Sequence, residues 1–283
     1  MSQSKNNRRD FVKKSIFGTI GGVALAGSSL KVNAATLAKP SDLKLAFAGY
    51  TFVHFKLEES LEMIQKVDVN YLCIKDFHLP MDSTDAEIAA FHKRLADANI
   101  KGYAVGPIYS KTQEAIDKAF DYAKRVGVDM IVGIPRIEDL PYLDAKVKEF
   151  DIRFAIHNHG PEDKLYPNAT VIMSHIKDLD ERIGMCFDIG HNMRDGHDPV
   201  ADIKKYKSRI FDLHLKNVSK AEAEGKTIEL GRGVIDIPAV VKMLAKVNYT
   251  GHLAMEYEKD MKDPMAGIAE SVGYYRGVVD GLG

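Results

Sequence analysis

Cysteine occurs only twice in 283 residues, which excludes a disulfide framework and a four-cysteine zinc site. Cys73 and Cys186 lie inside the apolar runs Tyr71-Leu72-Cys73-Ile74 and Met185-Cys186-Phe187, and both read as buried strand residues. No uninterrupted apolar run reaches the roughly 20 residues that a membrane-spanning helix needs. Neither sign of charge dominates, with 39 Lys and Arg against 40 Asp and Glu. No Gly-rich phosphate turn follows the first strand-like run, where the chain reads Ala48-Gly49-Tyr50-Thr51-Phe52. A dinucleotide-binding doubly wound sheet therefore lacks its fingerprint. Long internal repeats and low-complexity segments are absent too.

The first 34 residues differ from the rest. Asn7-Arg8-Arg9-Asp10-Phe11-Val12-Lys13-Lys14 is basic, residues 16–30 are mildly apolar and rich in Gly and Ala, and Val32-Asn33-Ala34 offers small residues for cleavage. This is the three-part layout of a signal peptide. The paired arginines before Phe11 and Lys13 resemble a twin-arginine export signal, which implies a periplasmic protein exported already folded. The apolar part is too short for a permanent membrane anchor, and no cysteine near the cleavage region suggests a lipoprotein. Six of the 39 basic residues and one of the 40 acids lie in this segment, which leaves residues 35–283 at a net charge of −6. An acidic chain of that kind is a poor partner for nucleic acid or anionic membrane.

From Asp42 onward, short apolar runs alternate with longer amphipathic stretches. The runs cover residues 43–48, 71–74, 102–105, 130–134, 153–156, 183–187, 210–215 and 252–255. Their continuous apolar character suits parallel strands buried on both faces. Apolar residues at helical spacing fill residues 57–64, 86–98, 115–125 and 237–247 between them. Ser83-Thr84-Asp85-Ala86-Glu87 reads as a capping box, and Asp236-Ile237-Pro238 places Pro in a first turn behind an Asp cap. Asp263-Pro264 repeats that pattern before the last helix. Eight strand–helix units without a linker predict a single (β/α)8 TIM barrel over residues 35–283, a length that suits the fold.

Active sites of such barrels lie where strands end. The fifth run leads into His157-Asn158-His159, the sixth into Asp188-Ile189-Gly190-His191, the seventh contains Asp212-Leu213-His214-Leu215-Lys216, and the eighth leads into Glu256-Tyr257-Glu258. Four neighbouring strands thus offer His, Asp, His and Glu at matching depth. His157, Asp188, His214 and Glu256 are the predicted ligands of one divalent ion, with manganese, zinc, cobalt, magnesium or iron as candidates and calcium disfavoured by the imidazoles. Period-two alternation puts His157 and His159 on one face, so these two ligand assignments remain exchangeable. The same alternation turns Asp212, His214 and Lys216 inward, with Asp212 a layer deeper, and puts Glu256 and Glu258 on a shared face. Lys75, His78 and Tyr109 at earlier strand ends, and Arg232 between two glycines of the seventh loop, are further candidate substrate contacts.

Asp188-Ile189-Gly190-His191, His214-Leu215-Lys216, Gly231-Arg232-Gly233-Val234-Ile235-Asp236 and Gly251-His252-Leu253-Ala254-Met255-Glu256 together resemble the xylose isomerase-like TIM barrels, the group of sugar phosphate isomerases, epimerases and AP endonuclease 2. The resemblance runs from Leu43 to the C-terminus. It implies metal ligation by Asp188, His214 and Glu256, with His191 touching substrate oxygens. Epimerases of that family usually carry Glu where this chain has His157, so the two-carboxylate exchange of a proton across the substrate lacks one partner here.

The resulting expectation is an isomerase or epimerase of a sugar or keto-sugar that removes a proton beside a metal-polarised carbonyl. Glu256, or Lys216 with its pKa lowered by the ion, would be the base. His159 and His191 would hold substrate. A lyase or hydratase of 3-keto-sugars or 3-keto-glycosides is the alternative on the same residues. An AP-endonuclease-like phosphodiesterase would need a three-metal cluster and a basic groove, and a non-catalytic sugar-binding barrel would need no stoichiometric metal. A small carbohydrate is the expected partner, and the sequence leaves homo-oligomerisation open.

Overall fold

A computed structural model describes residues 38–283. The expected signal peptide, residues 1–34, lies outside the described residues. Eight parallel strands close on themselves in the order β1 (Lys44–Ala48), β10 (His252–Met255), β7 (Ile210–Leu215), β6 (Ile183–Asp188), β5 (Arg153–His157), β4 (Met130–Pro135), β3 (Lys101–Ser110) and β2 (Tyr71–Ile74). A two-stranded antiparallel ribbon, β8 (Asn217–Val218) with β9 (Thr227–Ile228), projects from the loop after β7. The single (β/α)8 barrel is the expected architecture.

Alternation along each strand separates two apolar layers. Small inward residues, among them Ala46, Ala48, Cys73, Ala104, Ala155, Cys186 and Ala254, fill the barrel interior. The outward residues between them, such as Phe47, Leu72, Phe154 and Phe187, pack under the helices. Both cysteines are buried and free.

Helices begin where polar side chains accept orphan backbone N–H groups. Thr84 and Glu87 close the expected capping box at α2 (Asp85–Asp97), and Asp236 accepts from the Ala239 amide at 2.9 Å to start α8 (Ile237–Lys246). Thr112 and Asn168 cap α3 (Gln113–Val126) and α5 (Ala169–Ile176) in the same way. Asp263 does not cap α9 (Met265–Leu282), which starts behind Pro264 without a side-chain cap bond.

One strand departs from the sequence expectation. Instead of ending at Val105, β3 continues to Ser110 across a register shift between Val105 and Ile108. Gly106 makes this possible: its φ is +135°, and a Cβ there would stand 2.1 Å from the Val132 carbonyl oxygen. The extension carries Tyr109 to the barrel mouth.

Packing beneath the helices should dominate stability. Phe154 is fully buried and its ring lies 6.2 Å from that of Phe120. Phe154→Ala is expected to destabilise the fold by about 3–5 kcal/mol, since the cavity cannot collapse against a rigid sheet. Urea unfolding followed by far-UV circular dichroism checks it, and a loss below about 1 kcal/mol would contradict this packing.

Candidate metal centre

Strand register delivers the four predicted ligands to one place. His157 and Asp188 are the last residues of β5 and β6, Asp188 pairs in register with His214 of β7, and Glu256 follows the last residue of β10. One ligand atom from each of His157, Asp188, His214 and Glu256 lies within 4.8 Å of the others. All four residues are buried, with Asp188 and His214 fully so.

Nearest approaches within this group lack hydrogen-bond geometry. His214 Nδ1 is 3.1 Å from Glu256 Oε2 and 3.7 Å from Asp188 Oδ2, yet both His214 ring nitrogens, His157 Nδ1 and Asp188 Oδ2 are buried without a hydrogen-bond partner. Lone pairs that converge on one point without bonding one another are the signature of ligands, because buried polar atoms are otherwise satisfied. Burial, reinforced by His214 and His159, holds His157 well below the ordinary histidine value, so its imidazole is neutral and able to donate a lone pair. Cys186 also comes within reach of His157 and His214. Burial pushes its thiol up to about 12, which favours the carboxylate-containing set.

Charge balance points the same way. Lys216 Nζ lies 3.1 Å from Asp188 Oδ2, 2.8 Å from Glu256 Oε2 and 2.5 Å from Glu258 Oε2. Burial lowers the His214 imidazole, but Cys186, Glu256 and Asp188 outweigh burial and hold it well above the ordinary histidine value, so three carboxylates around this imidazolium and the Lys216 ammonium leave one negative charge in excess. Uncompensated buried charge is costly, and a divalent cation in place of the His214 proton would bring the group to neutrality. The donor chemistry and the charge therefore both fit such an ion.

The lowered pKa expected for Lys216 beside an ion contrasts with the balance set by its protein neighbours alone. Burial disfavours its charge, but Asp188, Glu256 and Glu258 outweigh burial and hold the ammonium well above the ordinary lysine value. Among these neighbours Lys216 is a cation that donates hydrogen bonds to Glu256 and Glu258. Burial likewise raises the Glu256 carboxyl, and His214 and Lys216 outweigh that and hold it well below the usual carboxylate range. A carboxylate so stabilised is a good ligand and a weak proton acceptor.

Asn158, on the opposite face from His157 and His159, donates from Nδ2 to the Asp188 carbonyl at 3.0 Å and accepts the Asp188 amide at 2.9 Å. This two-bond clamp fixes the ends of β5 and β6 against each other. Asp188 divides its oxygens: Oδ1 accepts the His191 amide at 2.8 Å and caps α6 (Ile189–Arg194), while Oδ2 faces the ligand group. Gly190 leaves room for Lys216, since a Cβ there would meet the lysine Cγ at 2.8 Å.

His191 stands above Lys216, with Nε2 3.4 Å from Nζ and Nδ1 3.1 Å from Arg194 Nη1. Burial, then the charge of Lys216, lowers it to about 3, so the ring is neutral. Arg194 also reaches Glu162 and the Ala223 carbonyl, joining three loops over the site. His159 lies beside the ligand group with its ring 4.4 Å from that of His157. Its Nδ1 is 3.2 Å from Asp163 Oδ2 and its Nε2 3.4 Å from the Tyr109 hydroxyl. His157 therefore stands within the converging group and His159 beside it.

Other predicted contacts have local partners instead. His78 Nε2 lies 2.9 Å from the Phe55 carbonyl and 3.2 Å from Ser60 Oγ. Lys75 Nζ bonds Asp76 at 2.6 Å and the Pro107 carbonyl at 2.9 Å. Arg232 makes two bonds to Glu270 of α9, at 2.6 and 2.5 Å. Sequence reasoning assigned no role to Glu258, Asn158 or Arg194. The Glu-x-Glu alternation pointed to Glu258; nothing local marks Arg194.

A family model described as a xylose isomerase-like TIM barrel matches residues 44–278. The rhizopine catabolism protein MocC of Rhizobium meliloti is 31% identical over 134 residues, 42% of this chain and 40% of that protein. An inosose dehydratase of Clostridium perfringens is 29% identical over 140 residues, 44% of this chain and 46% of that protein. The matched stretch thus spans less than half the length of these curated relatives. A solved structure described as the IolI protein with a binding zinc atom superposes with a TM-score of 0.69 at 16% identity, over 85% of this chain and 99% of that one, and shares the fold.

Removing a ligand should empty the centre. Asp188→Ala or His214→Ala is expected to lower bound divalent metal from near one equivalent to a small fraction, measured by plasma emission after dialysis; full occupancy in both would refute the ligand set. Asn158→Ala should weaken metal binding by about 10–100-fold through loss of the clamp, read by competition with a chelating dye.

Proposed function

The chain belongs to the xylose isomerase-like TIM barrel family, and from that premise we propose that it is a metal-dependent enzyme that enolises a polyhydroxylated ketone, a keto-sugar or keto-cyclitol, and expels a β-hydroxyl as water. The observation that carries this reading is the one-sided arrangement of Glu258 and Lys216 beside the converging ligands. The dehydratase named among the sequence relatives supports the outcome.

A divalent ion held by His157, Asp188, His214 and Glu256 would supply Lewis-acid polarisation of a substrate carbonyl. Glu258 is the more open of the two glutamates, with its side chain 27% exposed against 4% for Glu256, and it faces the mouth. In the proposed reaction Glu258 accepts the α-proton as the C–H bond breaks and the C–C double bond forms. The enolate electrons then restore the carbonyl and form the α,β double bond as the β-C–O bond breaks, Glu258 returns the proton to the departing hydroxyl, and water leaves. The Lys216 ammonium stabilises the oxygen on which negative charge develops. His159 and His191, both beside the converging ligands, hold hydroxyl groups. One base suffices because proton and hydroxyl leave from the same side.

Epimerisation requires a second base across the substrate, and His157 with its lone pair committed to ligation does not provide it. Isomerisation by return of the proton to a neighbouring carbon uses the same Glu258. A phosphodiesterase would want a larger cluster than the four-residue set among the described residues. A sugar-binding barrel would need neither the buried ion pair nor the open glutamate.

Two variants separate ligation from chemistry. Glu258→Gln is expected to lower kcat by about 100-fold or more while metal content stays unchanged; Glu256→Gln should lose metal and activity together. Proton NMR in D2O with keto-inositol and 3-keto-glucoside substrates should show an unsaturated product. Deuterium incorporated with no loss of water would move the assignment to isomerase. Wild-type kcat in Glu258→Gln would overturn the role of that residue.

Export before function is part of the same proposal, supported by Arg8 and Arg9 in their twin-arginine context. Arg8→Lys with Arg9→Lys is expected to retain the protein in the cytoplasmic fraction.

A further inference from the structure

The opposite end of the barrel holds a second cavity. It has a volume of about 750 Å³ and is lined by residues that begin the strands rather than end them. Lys44, Lys101 and Arg153 open β1, β3 and β5, and Lys207 approaches from the turn before β7. One carboxylate, Asp129, shares the lining and is 3.2 Å from Arg153. Among the described residues, no carboxylate lies within ion-pair distance of Lys44, Lys101 or Lys207; Lys44 Nζ has only the Thr250 carbonyl, at 3.5 Å.

The inner wall of the cavity is aromatic. The Tyr103 and His252 rings stack at 3.8 Å with 21° between planes, and Tyr71 leans on His252 at 4.8 Å. Tyr103 is anchored from below, since its hydroxyl donates to both Asp212 carboxylate oxygens at 3.1 and 3.0 Å. Burial lowers His252 to about 4, and Lys44 and Arg153 act in the same direction, so the ring is a neutral surface surrounded by cations.

We propose that this cavity is a binding site for a small organic polyanion with a flat ring, its phosphate or carboxylate groups held by Lys44, Lys101, Arg153 and Lys207 and its ring against Tyr103 and His252. The volume falls in the range of small-molecule sites and exceeds what a lone oxyanion fills. The cations stand at the rim and the aromatic pair at the floor, so charge and ring would be recognised separately. The site shares no residue with the metal centre. A role for it therefore does not rest on the proposed reaction.

Isothermal titration of the full chain with adenosine diphosphate, benzene-1,3,5-tricarboxylate, inorganic pyrophosphate and adenosine tests this. At least one ring-bearing polyanion is expected to bind more tightly than both pyrophosphate and adenosine, and which of the two wins distinguishes a phosphate from a carboxylate source. Lys101→Glu with Lys207→Glu, both at exposed positions, should weaken that binding by about tenfold or more with unchanged metal content and melting temperature. Asp188→Ala should leave it intact, which separates it from anion capture at the metal centre. Absence of binding by both ring-bearing polyanions, adenosine binding as tightly as they do, or undiminished binding in the double lysine variant would overturn the proposal.

Discussion

Carboxylates taken out of water repel one another and remain charged only where cations share the space. That constraint governs the C-terminal end of this barrel. Asp188, Glu256 and Glu258 crowd around Lys216, and one ammonium is too little for three of them. Of the two imidazoles beside them, His157 is held neutral by burial and His214 is drawn toward its charged form by the same carboxylates. Everything positioned nearby either limits that excess or directs it, from the glycine that admits the lysine stem to the asparagine that ties two strand ends together.

The chemistry follows from unequal burial of two otherwise identical side chains. Glu256 is enclosed and committed to its neighbours, whereas Glu258 reaches the same ammonium from the open side. Two residues apart on one face, they are suited under the proposed reaction to separate roles, one as ligand and one as base. A base must be reachable by substrate, and a ligand must not be displaced by it. The barrel satisfies both by depth along one strand exit.

Much of this was readable in the amino-acid order. Continuous apolar runs at regular spacing specify parallel strands, and a period of two then specifies which residues beyond each run face inward. That reasoning reached His157, Asp188, His214 and Glu256 without coordinates, because register in a closed barrel leaves strand ends little freedom. What it missed depends on partners distant in sequence. The direction of the Lys216 shift is set by carboxylates from two other strand ends. Arg232 is fixed by Glu270, 38 residues on, and a local reading saw only a cation between glycines. The extension of β3 depends on close approach of Gly106 to β4, and the basic cavity depends on strand starts from all around the barrel.

Asp188 joins two events that are usually separate. One of its oxygens holds the first turn of α6, and the other belongs to the ligand group. Chelation and the winding of that turn therefore draw on a single rotamer. Any swing of the carboxylate toward a different ion geometry loosens the His191 amide, and with it the ring that Arg194 ties to the loops on either side. A cation held at Oδ2 would thus be linked through Oδ1 and the His191 amide to the Arg194 contacts between the neighbouring loops.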